Sequence, residues 1–352
     1  MSNSGKSIQY LDSLRALATL GVIIIHISSP LVNMTYGKNM PYWWIGNVVD
    51  SAVRFAVPLF LMLSGATMLG KEYKLGDFYK KRFTRVFIPF VFWLLAYWVY
   101  RWFMLKPAVQ PTDFQSILNW AADLFLKEGV SKHLWYVYMI IFVYLALPFI
   151  GKLLRNLRQS TLLTLVFCWM FFVFQTRQFP LNLYSWSGDY GSKFLGYFLH
   201  TGYLMLGFYL SRIDFSYKKT RFVAGMVFAL SVLVSALGTY FMSESNRHLN
   251  LTMYSYLNLN TMLQSVAIFV WAKDIQINNK IALWIQNTIS NYSYGIYLIH
   301  IMIIGILFRN GIYWSFAHPA VSLPVLTLIV LLCSIAIIYL LRIIPGGKHV
   351  AG

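Results

Sequence analysis

The chain has 352 residues, of which 58% are hydrophobic and only 11% charged, with a mean hydropathy of +0.59. That balance excludes a soluble globular protein of this length, and apolar runs of eighteen or more residues recur along the whole chain, as in transmembrane helices. The net charge of +18 lies in short connections between apolar runs, so it reads as membrane topology and not as a nucleic-acid interface.

The predicted fold is all-α: a single integral membrane domain over residues 1–352 with about ten transmembrane helices. The spans fall near 9–30, 45–69, 86–104, 133–151, 161–175, 194–211, 221–242, 256–273, 291–308 and 320–343. An even number puts both ends on one side. That side carries 18 Lys and Arg residues, from Lys6 through the run Lys80-Lys81-Arg82 to Lys348, against 9 on the other and Arg15 and Arg54 within spans. The surplus predicts cytoplasmic termini. The N-terminus lacks a signal-peptide cleavage pattern, so the first helix is expected to be retained. Cys168 and Cys333 fall inside apolar spans with no metal or redox spacing, so no metal is expected.

The first span, from Tyr10 to Ser29, carries Asp12, Arg15 and His26. Ionisable groups are costly in hydrocarbon and normally face a polar cavity or a partner. Arg15 and His26 are eleven positions apart, which is about three turns plus 20°, so both lie on one stripe about 16 Å apart along the axis. A lone arginine on the same stripe as a histidine has no cheap structural reason. The second span opens with Asp50 and Arg54 near the outer surface, continues past Pro58, a predicted kink, and reaches Ser64-Gly65 toward the cytoplasm. After the third span, Thr112 and Gln115 form a capping-box pattern before the amphipathic stretch SILNWAADLFLK. That stretch is read either as a helix on the outer surface or as a loop helix packed on the bundle. His133 and Trp135 open the fourth span. The outer loop at 182–193 is rich in Tyr, Trp, Ser and Asn, groups that bind sugars but also populate membrane interfaces. In the ninth span Ser293, Tyr297 and His300 follow at i, i+4 and i+7, a polar stripe on one helical face.

These residues sort into two layers. Arg15, Lys81, Arg82 and Arg85 form a cationic cytoplasmic layer, suited to a phosphorylated ligand because guanidinium groups bind phosphate bidentately. His26, Asp50, Arg54, His133 and Trp135 form an outer layer in which His26 suits general-base work on a hydroxyl. Each has a plainer reading. KKRFTR is also a topology anchor meeting anionic membrane lipid. Asp50 and Arg54 are also a self-neutralising pair, His300 a buried histidine with a local hydrogen bond, and Ser64-Gly65 a small-residue helix contact.

LDSLRALATLGVIIIH, VPLFLMLSG at 57–65, RFTR before Pro89, HLWY at 133–136, YGIYLIH at 294–300 and the tail RIIPGGKHVAG occur in that order. Together they resemble acyltransferase family 3, integral membrane proteins that O-acylate cell-surface glycans. The second-helix pattern is most similar to the branch holding the enterobacterial common antigen O-acetyltransferase and the intercellular-adhesion polysaccharide proteins. The resemblance covers essentially the whole chain, without the hydrolase-like domain that some relatives append.

It implies a multi-pass protein of the bacterial cytoplasmic membrane that moves an acetyl group from cytoplasmic acetyl-CoA to a hydroxyl of a glycan or lipid-linked saccharide. On that implication His26 is the base, with Arg15 and Asp12 beside it in the catalytic set. Arg15, Arg82 and Arg85, with Lys81 and Ser64, bind the donor. Asp50, Arg54, His133, Trp135, Tyr297 and His300 are assigned to the acceptor. A glycan exporter without acyl transfer, and an assembly protein without chemistry, stand as rival readings. The acceptor sugar and the oligomeric state are not legible.

Overall fold

A computed structural model describes residues 3–104, 113–126, 131–178, 195–215 and 218–352. The outer loop at 182–193 and Thr112 lie outside them. The described chain is all-α. Its helices are α1 (Asn3–Thr35), α2 (Met40–Ala52), α3 (Ala56–Met68), α4 (Leu75–Arg82), α5 (Ile88–Met104), α6 (Phe114–Leu126), α7 (Trp135–Leu154), α8 (Gln159–Gln178), α9 (Gly202–Ser211), α10 (Lys218–Asn246), α11 (Leu259–Ala272), α12 (Lys280–Arg309) and α13 (Pro319–Ile343). Eight continuous or near-continuous helical stretches among the described residues are long and apolar enough to cross a membrane: those at Gln9–Thr35, Met40–Met68, Leu75–Met104, Lys132–Leu154, Gln159–Thr176, Lys219–Asn246, Lys280–Arg309 and Pro319–Ile343. The sixth and eighth predicted spans are shorter. A helical stretch at 195–200 turns at Thr201 into α9, and α11 has 14 residues.

The two ends of the bundle follow from side-chain contacts. At one end Gln9 donates to Ile277 O, Lys273 to Leu210 O and Ser211 O, Arg212 to Arg155 O, and Arg155 pairs with Glu72. At the other, Tyr36 donates to Glu244, Tyr42 packs on His318, and Arg309 donates to Phe103 O. Consecutive spans therefore alternate in direction. The start of α1 and the tail Ile344–Gly352 share the end that the Lys and Arg surplus marks as cytoplasmic.

α1 is the central element. It packs against α2, α3, α11, α12 and α13, which is why Leu14, Ile23, Ile27 and Leu31 are almost fully buried. α1 and α12 run parallel in a constant register. Ser13 donates to Gln286, Arg15 to Ser290, and His26 faces His300. Outward faces such as Phe167, Phe222 and Leu332 remain exposed, the expected surface for lipid.

Proline sets the irregular backbone. In a helix a proline ring excludes the carbonyl four residues before it. Pro58 does this to Arg54, and the chain breaks between α2 and α3 at 53–55. The predicted kink is thus a full break, three residues earlier than Pro58 itself. Pro89 does the same to Arg85, and the turn Phe83–Phe87 widens into a π-helix, a feature frequent at functional sites. At the start of α6, Asp113 Oδ1 accepts from the Ser116 N–H at 2.9 Å; the capping-box pattern of Thr112 and Gln115 rests on a residue outside the described ones. α6 does form, and Trp120 docks it on Trp98 and Trp102 of α5.

The closest crossing joins α3 and α9. A Cβ on Gly65 would strike the backbone of Leu204, and one on Gly207 the backbone of Met62. Small residues allow this approach in a bundle with no hydrophobic drive between helices. Backbone cannot yield cheaply, so Gly207→Val is expected to cost about 3 kcal/mol, the upper end for overpacking. The expected readout is a clear fall in the thermal unfolding midpoint of the detergent-purified protein. Gly225→Val, where a Cβ meets open space, should leave it in place.

Candidate active site

A cavity of about 1120 Å³ opens at the cytoplasmic end between α3, α4, α5, α7 and α12. Arg15, Lys71, Lys74, Lys81, Arg82, Arg85, Arg342 and Lys348 line it, against Glu72 and Asp77. Glu72 is engaged with Arg155 at 2.9 Å. The chamber therefore carries a strong positive surplus at its mouth. The sequence-predicted Arg15, Ser64, Lys81, Arg82 and Arg85 all reach it, so the cationic layer is a real cluster in space.

Each residue arrives by a local cause. The widened turn Phe83–Phe87 carries Arg85 and follows directly on Lys81 and Arg82. Arg82 is held by aromatic and sulfur contacts: its guanidinium lies 4.9 Å from the Tyr144 ring and 5.4 Å from Phe78, and Nη2 lies 2.9 Å from Met68 Sδ. Its Nε is buried with no hydrogen-bond partner among the described residues. A guanidinium stacked on rings keeps its donor edge available for an anion. Ser64 lines the cavity while its hydroxyl donates back to Phe60 O at 3.0 Å. Its neighbour Gly65 is the small-residue contact already described, so the two adjacent residues serve different purposes.

Arg15 is not a lone charge. Its Nη1 donates to Asp12 Oδ1 at 3.0 Å and to Ser290 Oγ at 3.0 Å, and Ser290 Oγ donates to Asp12 at 2.6 Å. The triangle supplies the partner that an intramembrane charge requires. It leaves Arg15 at the chamber wall, half-buried, eleven residues and about 16 Å along α1 from His26. Arg15 and Asp12 therefore belong to the mouth of the chamber and cannot touch the atoms that His26 touches.

The outer layer closes into three histidines from three elements. The His26 and His300 rings are 5.2 Å apart, His133 and His300 5.2 Å, and His26 and His133 6.4 Å. His133 and His300 are buried, whereas His26 is only half-buried. His300 Nδ1 lies 2.6 Å from Tyr297 O and 3.2 Å from Ile296 O, the local hydrogen bond expected of a buried helical histidine. His133 Nδ1 meets Ser131 Oγ at 2.8 Å. Tyr297 joins the two layers. Its ring lies 5.7 Å from His300, its hydroxyl donates to His133 O, and the same side chain lines the chamber with Tyr136. The stripe Ser293, Tyr297 and His300 thus runs from the chamber into the histidines, as its i, i+4, i+7 spacing implies.

Asp50 and Arg54 form a pair at 2.5 Å, both buried, beside the α2–α3 break, with Asp50 Oδ2 and Arg54 Nε lacking hydrogen-bond partners among the described residues. Arg54 lies 4.1 Å from the Tyr254 ring centroid, and Tyr254 donates to Asn47 at 2.6 Å. Trp135 stacks on Tyr256 at 6.0 Å and meets His200. These residues border the histidines without lining the chamber. Among the described residues no cluster of three or more His, Cys, Asp or Glu could hold a metal ion.

Several residues of this site carry no signal in the sequence. Ser290 is one serine among many, and Tyr97, 5.2 Å from His133, is one aromatic in an aromatic span. Lys348 reads as a topology charge within the tail RIIPGGKHVAG, yet the tail folds back to put it and His349 on the chamber wall. Gly346 makes that return with φ +78°, Trp93 Nε1 donates to Val350 O at 3.1 Å, and Ala351 is fully buried.

The fold and site define a helical membrane bundle with a basic chamber leading to a cluster of three histidines. Residues 8–343 match the family described as Acyltransferase domain, and the chain belongs to that family. It is a membrane acyltransferase. No curated protein and no solved structure matched the chain.

The Asp50–Arg54 pair generates a separable prediction. Asp50→Asn leaves a buried guanidinium uncompensated and should cost about 3–5 kcal/mol, read as a lower thermal midpoint. Asp50→Leu/Arg54→Met removes both charges and should recover most of that stability. Activity that returns with stability would make the pair structural; activity that stays lost would place it in acceptor binding.

Proposed function

We propose that the protein is an acetyl-CoA-dependent O-acetyltransferase of a bacterial cytoplasmic membrane, acting on a hydroxyl of a cell-surface or lipid-linked glycan. The observation that carries this reading is the continuity of the basic chamber with the histidine cluster through Tyr297. A CoA thioester has a polyanionic nucleotide end and a thin uncharged arm. The chamber has the complementary arrangement: cations at the mouth, and Phe60, Tyr136, Ile140 and Tyr297 at depth. Its volume exceeds the roughly 300–1,000 Å³ of ordinary small-ligand sites, which leaves room for a nucleotide with an extended arm.

On this reading Arg82, Arg85 and Lys81 hold the phosphates as charge-assisted donors, and Arg15, positioned by Asp12 and Ser290, supports them. The arm carries the thioester toward Tyr297 and His26. An acceptor hydroxyl enters from the outer side, past Trp135 and Tyr256. His26 takes the hydroxyl proton as the oxygen attacks the thioester carbonyl. The new C–O bond forms, the C–S bond breaks, and the proton passes from His26 to the departing thiolate. The bundle excludes water and so limits hydrolysis of the thioester. The charged donor never crosses the bilayer; only the acetyl group does. Family membership favours transfer over export, and the surplus of cations on the chamber wall favours chemistry with an anionic donor over a purely structural role.

The test is CoA release from acetyl-CoA by purified protein in nanodiscs, with a glycan-lipid extract as acceptor. Wild type is expected to release CoA. His26→Ala should bind acetyl-CoA with unchanged affinity and release at least about 100-fold less CoA. Arg82→Ala/Arg85→Ala should weaken acetyl-CoA binding by about 10-fold or more, and the wild-type affinity should fall with salt. Wild-type protein that binds no acetyl-CoA would overturn the donor assignment and return the arginines to a topology role.

A further inference from the structure

The mechanism above uses His26 and leaves His300 unassigned. His300 is completely buried at the centre of the bundle, and its two ring nitrogens have unequal partners. Nδ1 faces two backbone carbonyl oxygens, Tyr297 O at 2.6 Å and Ile296 O at 3.2 Å. Carbonyls only accept, so Nδ1 carries the hydrogen. In a neutral imidazole the other nitrogen is then a lone-pair acceptor. That nitrogen, Nε2, is buried with no hydrogen-bond partner among the described residues. A buried acceptor without a donor is costly, and it points into the histidine cluster.

His26 is the group placed to satisfy it. The two rings are 5.2 Å apart, tilted by 48°. About 5 Å is the centroid spacing of two imidazoles joined by an in-line N–H···N bond of ordinary length. No hydrogen bond ties the His26 ring to another partner among the described residues, where it packs on His300 and His133. Catalytic hydrogen bonds are often loose without substrate and tighten in the working complex. The His133 ring is also 5.2 Å from His300, but it is already held, by the Ser131 hydroxyl at Nδ1 and by the Leu298 backbone.

We propose that His300 is the positioning residue for His26: its Nε2 accepts the N–H of the His26 ring and so fixes which His26 nitrogen keeps the lone pair. The order runs from backbone to base. The carbonyls of Ile296 and Tyr297 set the His300 tautomer, His300 sets the His26 tautomer, and the His26 nitrogen turned away from His300 stands ready for the acceptor hydroxyl. A neutral imidazole here takes the orienting part that a third group plays in nucleophile–base–orienter arrays. This inference rests on His26 being the base in the reaction proposed above, and it adds the residue that makes His26 competent.

Two isosteres separate positioning from packing. His300→Gln places a carbonyl acceptor near the former Nε2 but loses the donor to Tyr297 O. His300→Asn keeps a donor near the former Nδ1 but has nothing at Nε2. A packing role ranks Asn at or above Gln. The positioning role ranks Gln above Asn, with Asn lowering kcat roughly 100-fold while the KM for acetyl-CoA is unchanged. The second readout needs no turnover: ¹⁵N-histidine spectra of the folded variants in lipid vesicles, with the His26 signal assigned by its loss in His26→Gln. Wild type and His300→Gln should show one His26 tautomer, and His300→Asn a mixture. If Asn matches wild type in kcat, or leaves the His26 tautomer unchanged, the proposal falls. If the tautomers follow the expected order while wild type consumes no acetyl-CoA, the positioning stands and the acetyl-CoA reading alone fails.

Discussion

The parallel packing of α1 on α12 is the contact on which the rest of the structure depends. Hydrocarbon cannot solvate Asp12, Arg15, Ser290, His26 or His300, so these groups must solvate one another. A parallel pair with constant register lets one helix face do this twice, once at the cytoplasmic mouth and once deep in the bundle. Asp12, Arg15 and Ser290 close the first group; His26 and His300 form the second. The two helices are buried on several sides by α2, α3, α11 and α13, which keeps both groups away from lipid.

Proline then distributes the arginines. Arg54 and Arg85 each stand four residues before a proline, and each sits where the helix gives way: a break before Pro58, a π-turn before Pro89. Pro30 stands in the same relation to His26, whose carbonyl loses its usual i+4 N–H partner although α1 stays helical. In all three cases the ring removes a ladder bond beside a polar or charged side chain. Lys81, Arg82 and Arg85 stand at i, i+1 and i+4, within a 100° arc of helix, and all three face the chamber.

The resulting division of the interior has a chemical logic. The surplus of cations stands at the mouth, where water and counter-ions reach it. The deep cluster is built from aromatic and imidazole groups, with the Asp50–Arg54 charges beside it paired to each other. Tyr297 is the boundary between the two, with its ring on the chamber and its hydroxyl bonded to the backbone of His133. A donor with charge at one end and a reactive acyl group at the other fits that gradient.

The amino-acid sequence by itself determined the membrane class, the approximate spans, the sidedness and the two layers. These follow from hydropathy, from the placement of Lys and Arg, and from helical periodicity, all of which are local or additive along the chain. The stripe of Arg15 and His26, and that of Ser293, Tyr297 and His300, were legible for the same reason. Partnership was not legible. Nothing in LDSLRAL announces Ser290, which lies 275 residues from Arg15. Lys348 reads from the sequence as a topology charge, and only the fold of the tail brings it to the chamber wall. From the sequence, His133 belongs to an outer layer by depth and His300 to a polar stripe on its own helix. Only the tertiary packing decided that they meet His26, because the register between distant helices is set by the fit of whole faces. It was also the packing that gave His300 two backbone acceptors on one nitrogen and a bare lone pair on the other.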